Sequence, residues 1–300
     1  MKKSSVNLGL FLKQQRLSRQ LSRAALSERL SVSEKTLQRI ELGQVEVKAG
    51  QLLTLMNFFG VTPAEIVDLA AMPLSTVAVG NQIEQARAQN DAASLQQLSD
   101  KLRQAYRQQQ IPWLRCAVIV CECLQAKMMM HDEQARRLAA RLCAYYLRCE
   151  TITCFDFRLL TFIVGEAPYE MAHAFFVGGQ VKRQQSRHQC AQIIAEYFVG
   201  LLDSALMTKD SAVVLKVCQL LQQQKLTEPN HYFSMYQKLA QIMGTWLNGE
   251  VNTAVRNKQA FISALKRLYP SAVAAQNVAL IQREWNMLQQ VTEITPTMRW

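Results

Sequence analysis

Glycine and proline are scarce in this chain, 11 and 7 in 300 residues. Turn formers are too few for the many tight connections of an all-β fold, and long stretches rich in Leu, Ala, Gln and Arg favour helix. Charged residues are also few, 19% against 49% hydrophobic. Such a chain buries enough apolar surface to offset its ordering entropy, which excludes disorder over most of its length. Long apolar runs are missing too. No window reaches the roughly 18 consecutive apolar residues that span a bilayer, and the strongest, Ala117 to Leu124, is broken at Glu122. The N-terminus, MKKSSVNLGLFLKQQR, opens like an export signal, but Lys13 and Arg16 interrupt the apolar stretch before a signal core is complete. A cytoplasmic protein without membrane contact is expected.

Acidic residues are outnumbered, 23 against 34 basic, for a net charge of +11; the resulting field attracts phosphates or acidic partners. Catalytic signatures are lacking: there is no Walker loop, nucleophile elbow or HExxH, and the paired carboxylates read as solvated helix faces. The eight Cys fall at irregular positions (116, 121, 123, 143, 149, 154, 190, 218) inside apolar stretches. No CxxC occurs, and Cys121 and Cys123 point to different sides of a helix, so they read as core residues. The four His are scattered, with no neighbouring carboxylate at a spacing that suggests a ligand set or a catalytic dyad. No enzyme, cofactor or metal site is expected. The length suits two folding units.

Apolar periodicity and turn residues divide residues 5–70 into five short helices, at 5–18, 22–30, 33–42, 48–59 and 62–70. Ser22 and Ser33 are placed to cap the second and third, with Ser31 and Glu34 a competing capping box. Gly43 closes the third, and Thr62-Pro63 opens the fifth. Leu21, Leu26, Leu30, Val32, Leu37 and Ile40 recur where two helices joined by a tight turn bury their inner faces, leaving Arg23, Glu34, Lys35, Gln38 and Arg39 outward. Residues 1–48 hold ten Lys or Arg against four acids, the most basic part of the chain.

The segment LSRAALSERLSVSEKTLQRIELG, Leu21 to Gly43, resembles the Cro/repressor (XRE-type) helix-turn-helix family. It departs at Ser27 for a small Ala, at Ser31 for the turn Gly, and at Arg23 for the usual Gln. The resemblance implies that Arg23, Ser33, Glu34, Lys35, Gln38 and Arg39 contact double-stranded DNA, the α-helix carrying Lys35, Gln38 and Arg39 lying in the major groove. It also implies a framework ion pair between Arg16 and Glu41. Without that framework, Lys35, Gln38 and Arg39 would read as an ordinary solvated helix face.

Pro73 and Gly80 mark a linker over 71–81, and helical periodicity resumes at 82–108, 112–127, 132–147, 152–164, 167–178, 186–206, 211–224, 230–247, 251–268 and 271–290. Short connections make consecutive helices antiparallel neighbours, in pairs of tetratricopeptide-like length but without strict repeat signatures. A packed bundle is the alternative. The expected fold is all-α: a five-helix Cro/repressor-type DNA-binding domain (1–70), a linker (71–81), a right-handed superhelical array of antiparallel helix pairs (82–290) and a C-terminal tail (291–300).

This order, with ITCFDFRLLTFIV (152–164) and the late run YQKLAQIMGTWLNGEVNTAVRNKQAFISALKRLYP, is similar to the Rgg/GadR/MutR regulators of Gram-positive bacteria. That resemblance implies a homodimeric transcription regulator that binds an inverted-repeat operator and senses a short hydrophobic peptide pheromone. Arg141, Tyr145, Arg148, Phe155 and Arg158 lie in and beside the central helices among further aromatics, where guanidinium groups and rings can hold an extended peptide and its carboxylates. The competing readings are a constitutive repressor whose helical half only dimerises or binds a protein partner, and an RNA- or protein-binding scaffold.

Overall fold

The computed structural model describes residues 2–30, 32–63, 65–66, 74–179, 191–226 and 230–293. Among them are 15 α-helices and no strand, and the chain divides into two compact units, Met1–Asn81 and Gln82–Trp300.

The first unit holds α1 (Lys2–Ser18), α2 (Arg23–Leu30), α3 (Glu34–Glu41) and α4 (Ala49–Phe59). Polar caps set the boundaries that the sequence marks. The Ala25 amide donates to Ser22 Oγ at 3.1 Å, and the Thr36 amide donates to Ser33 Oγ at 3.1 Å, each satisfying an orphan donor of the first helical turn. Gly43 terminates α3 with φ +67°, a conformation that side chains with a Cβ avoid, and the next amide, Gln44, donates back to Arg39 O at 2.8 Å. Leu12, Leu26, Leu30, Leu37, Ile40, Leu55 and Phe59 form one buried cluster, with Leu21, Val32 and Val61 packed against it. Burying one such side chain contributes about 1.5–3 kcal/mol. Ser27, the departure from small Ala, is buried but donates its hydroxyl to Ala24 O at 2.9 Å. Ser31, and most of the expected fifth helix at 62–70, lie outside the described residues; at its start the Thr62 amide donates to the Glu65 carboxylate at 2.7 Å.

The stretch 71–81 is not a linker throughout. Helix α5 (Thr76–Ala88) begins within it, because Ser75 caps the Ala78 amide at 3.1 Å and because Val79, Ile83 and Ala86 form a buried stripe at helical spacing. Gly80 sits buried inside this helix rather than marking a turn. The single helix expected over 82–108 is broken at Asn90, φ +52°, and restarts as α6 (Ala92–Gln109) under an Asp91 cap.

Then come α7 (Pro112–Met128), α8 (Asp132–Leu147), α9 (Cys154–Thr161), a 3-10 turn (Val164–Glu166) and α10 (Tyr169–Val177). They are followed by α11 (Ala191–Met207), α12 (Ser211–Gln223), α13 (His231–Leu247), α14 (Val251–Leu268) and α15 (Ser271–Glu293). The helix expected over 152–164 is thus shorter and ends in the 3-10 turn, and the last helix runs on into the stretch 291–300 expected as tail. Sequence neighbours pack on one another, α6 on α7, α7 on α8, α12 on α13, α13 on α14 and α14 on α15. Helix α11 is the hub, packed against α9, the 3-10 turn, α10, α12, α13 and α15. Its Ile194, Ala195, Tyr197, Phe198, Leu201, Leu202 and Ala205 are accordingly buried, the apolar-all-round composition that a surrounded helix needs. The two polar groups buried with them are satisfied: Tyr197 OH donates to Ala172 O and Ser204 Oγ to Ala167 O, each at 2.8 Å.

Candidate functional site

Helix α3 carries the first candidate site. Leu37 and Ile40 point into the core, so the 3.6-residue period turns Lys35, Gln38 and Arg39 outward, and all three are exposed. Glu34 is exposed at the first turn. Ser33 is exposed as well, but its hydroxyl is engaged by the Thr36 amide and lies 2.9 Å from Thr36 Oγ1. The result is a short helix with a polar, mainly cationic outer face and a rigid apolar inner face.

Behind that face lies a buried ion cluster. Arg16 Nε donates to Glu41 Oε1 at 2.5 Å and Arg16 Nη2 to Glu41 Oε2 at 3.1 Å, a bidentate pair tying α1 to the end of α3. Arg16 Nη1 also donates to Leu21 O at 2.8 Å, fixing the turn before α2. A second guanidinium completes the cluster, since Arg23 Nε donates to Glu41 Oε2 at 2.9 Å. Burial pushes the Glu41 carboxyl upward, but the two arginines more than offset it and hold it below its ordinary value. The sequence reading assigned Arg23 only to DNA; the structure gives it a second partner, Glu41, while leaving its side chain 35% exposed at the N-terminus of α2. Gly9 makes the cluster possible, because a Cβ there would lie 2.2 Å from Ile40 O. With no side chain at that position, α1 approaches the C-terminal turn of α3 closely enough for Arg16 to reach Glu41.

In the second unit, the five residues expected to anchor a peptide fall into different surroundings. Arg141 is exposed on α8, and Arg148 is exposed just past its C-terminal end. Tyr145 is exposed and tilted against the buried Tyr146 at 5.4 Å, and Phe155 meets Trp113 edge-on at 5.3 Å. Only Arg158 turns toward α11: its guanidinium lies 5.8 Å from the Phe162 ring centre and acts on Glu196.

No local sequence signal marks what meets Arg158 there. Arg87 of α5 lies over the same Phe162 ring at 5.3 Å, so two guanidinium groups share one buried aromatic ring. Beside them, burial raises the Glu196 carboxyl, with Glu84 adding to the effect. A relay of polar contacts holds it: Gln192 Nε2 donates to Glu196 Oε1 at 2.8 Å, and Asn230 Nδ2 donates to Gln192 Oε1 at 2.7 Å. This site joins residues 84, 87, 158, 162, 192, 196 and 230 from four parts of the chain, which no local motif connects. Among the described residues, no group of three or more His, Cys, Asp or Glu could hold a metal ion, and no helix is long and apolar enough to cross a membrane.

Residues 7–69 match the helix-turn-helix domain family, so the chain carries an XRE-type DNA-binding domain over the segment that holds α2, α3 and the ion cluster. No curated protein matches the sequence. Solved structures share the fold over nearly the whole chain. A Listeria monocytogenes EGD-e protein described as a transcriptional regulator is 14% identical, with a TM-score of 0.74 over 94% of this chain and 98% of that one. The SHP pheromone receptor Rgg2 of Streptococcus dysgalactiae is 16% identical, with a TM-score of 0.65 over 92% and 99%. The PrgX/cCF10 complex is 13% identical, with a TM-score of 0.67 over 95% and 93%. At these identities the likeness is one of fold.

Proposed function

We propose that this chain is a transcription regulator that acts as a homodimer, reads an inverted-repeat operator through α3, and is controlled by a short, mostly apolar peptide held in its second unit. The observation that carries the DNA reading is the outward face of α3, where Lys35, Gln38 and Arg39 project from a helix braced by the Arg16–Glu41–Arg23 cluster inside a helix-turn-helix domain. One such helix spans only a few base pairs, and two-fold symmetry supplies the second half-site. In this reading Arg39, with a forked guanidinium on the exposed face, hydrogen-bonds guanine, while Arg23 binds a backbone phosphate. Ser33 and Glu34, at the start of the helix, complete the DNA contact.

The peptide reading is supported by the fold shared with a pheromone receptor and by the pairing of Arg87 and Arg158 across Phe162. Two guanidinium groups over a phenyl ring suit a peptide carboxylate beside an apolar side chain. Arg141, Tyr145, Arg148 and Phe155 would extend the contact along α8 and α9. The test is thermal stabilisation of the full-length protein by short peptides encoded near its gene, measured on wild type, Arg87→Ala and Arg158→Ala. Stabilisation of wild type that falls at least tenfold in apparent affinity in both variants is expected. Equal affinity in all three would discard these anchors, and no stabilisation by any such peptide would favour a constitutive repressor.

A further inference from the structure

Helix α15 is fastened to α11 through an arrangement with more acid than base. Arg283 Nη2 on α15 lies 3.2 and 3.1 Å from the two carboxylate oxygens of Asp203 on α11. The same guanidinium reaches its neighbour Glu284, whose Oε1 accepts from Arg283 Nε at 3.0 Å and also from Nη2. Asp203 sits at the rim, 23% exposed, whereas the Glu284 side chain is 0% exposed. Two carboxylates thus share one cation. An ionised carboxylate only accepts hydrogen bonds, so neither acid can relieve the other unless one of them carries a proton.

Among the described residues, no second cation forms an ion pair with Asp203 or Glu284. On α13, Tyr232 and Tyr236 face the pair, their rings 4.9 Å apart, and Tyr236 OH and Glu284 Oε2 are buried without a hydrogen-bond partner. Arg87 of α5 acts on Tyr232. Lys258 of α14 lies 4.6 Å from the ring centre of Trp285, next to Glu284, but forms no ion pair with either acid. Left fully ionised, the cluster would carry one unbalanced negative charge with its Glu284 end withdrawn from water, a penalised state even with Arg283 half exposed at the rim.

We propose that Asp203 and Glu284 share one proton on the Arg283 guanidinium, and that this proton clamps α15 to α11, so that the C-terminal helix is held in mild acid and loosens as the pH rises. Consistent with this, burial first and Glu284 second push the Asp203 carboxyl well above the usual carboxylate range, with Arg283 opposing. For Arg283, burial acts against the charge, but the two acids more than offset it and keep it cationic. A carboxyl whose folded value is raised binds a proton in the native state that the unfolded chain has already lost. Its stabilising effect is therefore complete at low pH and disappears as the pH rises through the folded value.

The experiment is hydrogen–deuterium exchange of residues 271–293 in the full-length protein, at about pH 5.5 and about pH 8.5, with the intrinsic rate change removed. It is paired with melting curves followed by tryptophan fluorescence. Wild type should lose protection in α15 at least tenfold and melt several degrees lower at the higher pH. Asp203→Asn and Glu284→Gln each replace the shared proton with an amide donor, and both should flatten the two responses. Protection and melting independent of pH in wild type, or a wild-type slope retained in both variants, would overturn the proposal. Should the variants fail to fold, infrared difference spectra of wild type decide it: a protonated carboxyl band at neutral pH that vanishes on alkalinisation is required, and its absence overturns the clamp.

Discussion

Replacing Glu41 by alanine is the sharpest test of how the DNA-binding unit is built. Glu41 is 4% exposed and accepts three hydrogen bonds from two guanidinium groups; the principal donor, Arg16, is 5% exposed. Truncation leaves the Arg16 charge without its counter-ion in the core, and breaking a buried pair in this way costs about 3–5 kcal/mol. At about 0.05–0.15 kcal/mol per residue, an ~80-residue unit holds about 4–12 kcal/mol in total. Glu41→Ala should therefore bring the first unit close to unfolding at room temperature. All four Trp lie at residues 113, 246, 285 and 300 and every Tyr at residue 106 or beyond, so tyrosine and tryptophan absorbance and tryptophan fluorescence follow the second unit alone. Circular dichroism should then reveal an early transition that fluorescence does not see. Replacing both partners, Arg16→Met with Glu41→Leu, should recover much of the loss, because no charge is left stranded. The carboxyl is held below its ordinary value; its contribution is thus present above the ordinary carboxylate range and fades as the pH falls through the lowered folded value. An unchanged first unit that nevertheless fails to bind DNA would refute the framework role and move Glu41 to the contact surface.

Fluorescence anisotropy on operator and scrambled DNA should separate the arginines: Arg39→Ala loses about 1–3 kcal/mol on the operator and relaxes one base preference, while Arg23→Ala weakens both DNAs alike and lowers the salt slope by about 1. Gly9→Ala places a Cβ 2.2 Å from Ile40 O, and the displaced α1 should cost the first unit about 1–3 kcal/mol in denaturant titrations. Burial pushes the thiols of Cys121, Cys123, Cys143 and Cys218 up to about 12. Mass spectrometry after brief alkylation at neutral pH should find these four unmodified in the native protein, with the half-buried Cys149 and Cys154 modified before them. Rapid labelling of Cys121 or Cys143 would contradict the packing of α7 against α8.

The sequence by itself determined the helix-turn-helix. Its elements are short, its caps at Ser22 and Ser33 and its stop at Gly43 act within a few residues, and its apolar spacing has one solution in which Leu26, Leu37 and Ile40 turn inward together. Local rules suffice where every decisive contact lies within a turn or two. They mislead where a residue has two uses. Gly80 reads as punctuation but lies buried inside α5, and Asn90, unremarkable in sequence, breaks a helix by adopting φ +52°.

Tertiary structure alone decided which distant charges meet. Arg87 and Arg158 share the Phe162 ring across 71 positions of sequence, and Arg283 reaches Asp203 across 80. Arg23 turns back to Glu41 although its position at the head of α2 reads as outward. A helical period specifies which side of a helix is apolar, but not which other helix lies beside its polar edge. That depends on how α11 is surrounded, and hence on the sum of many small apolar contacts distributed over the whole second unit. Charges brought together by such packing are desolvated after the fact, and their protonation is set by the neighbours the fold supplies rather than by the residues beside them in the chain.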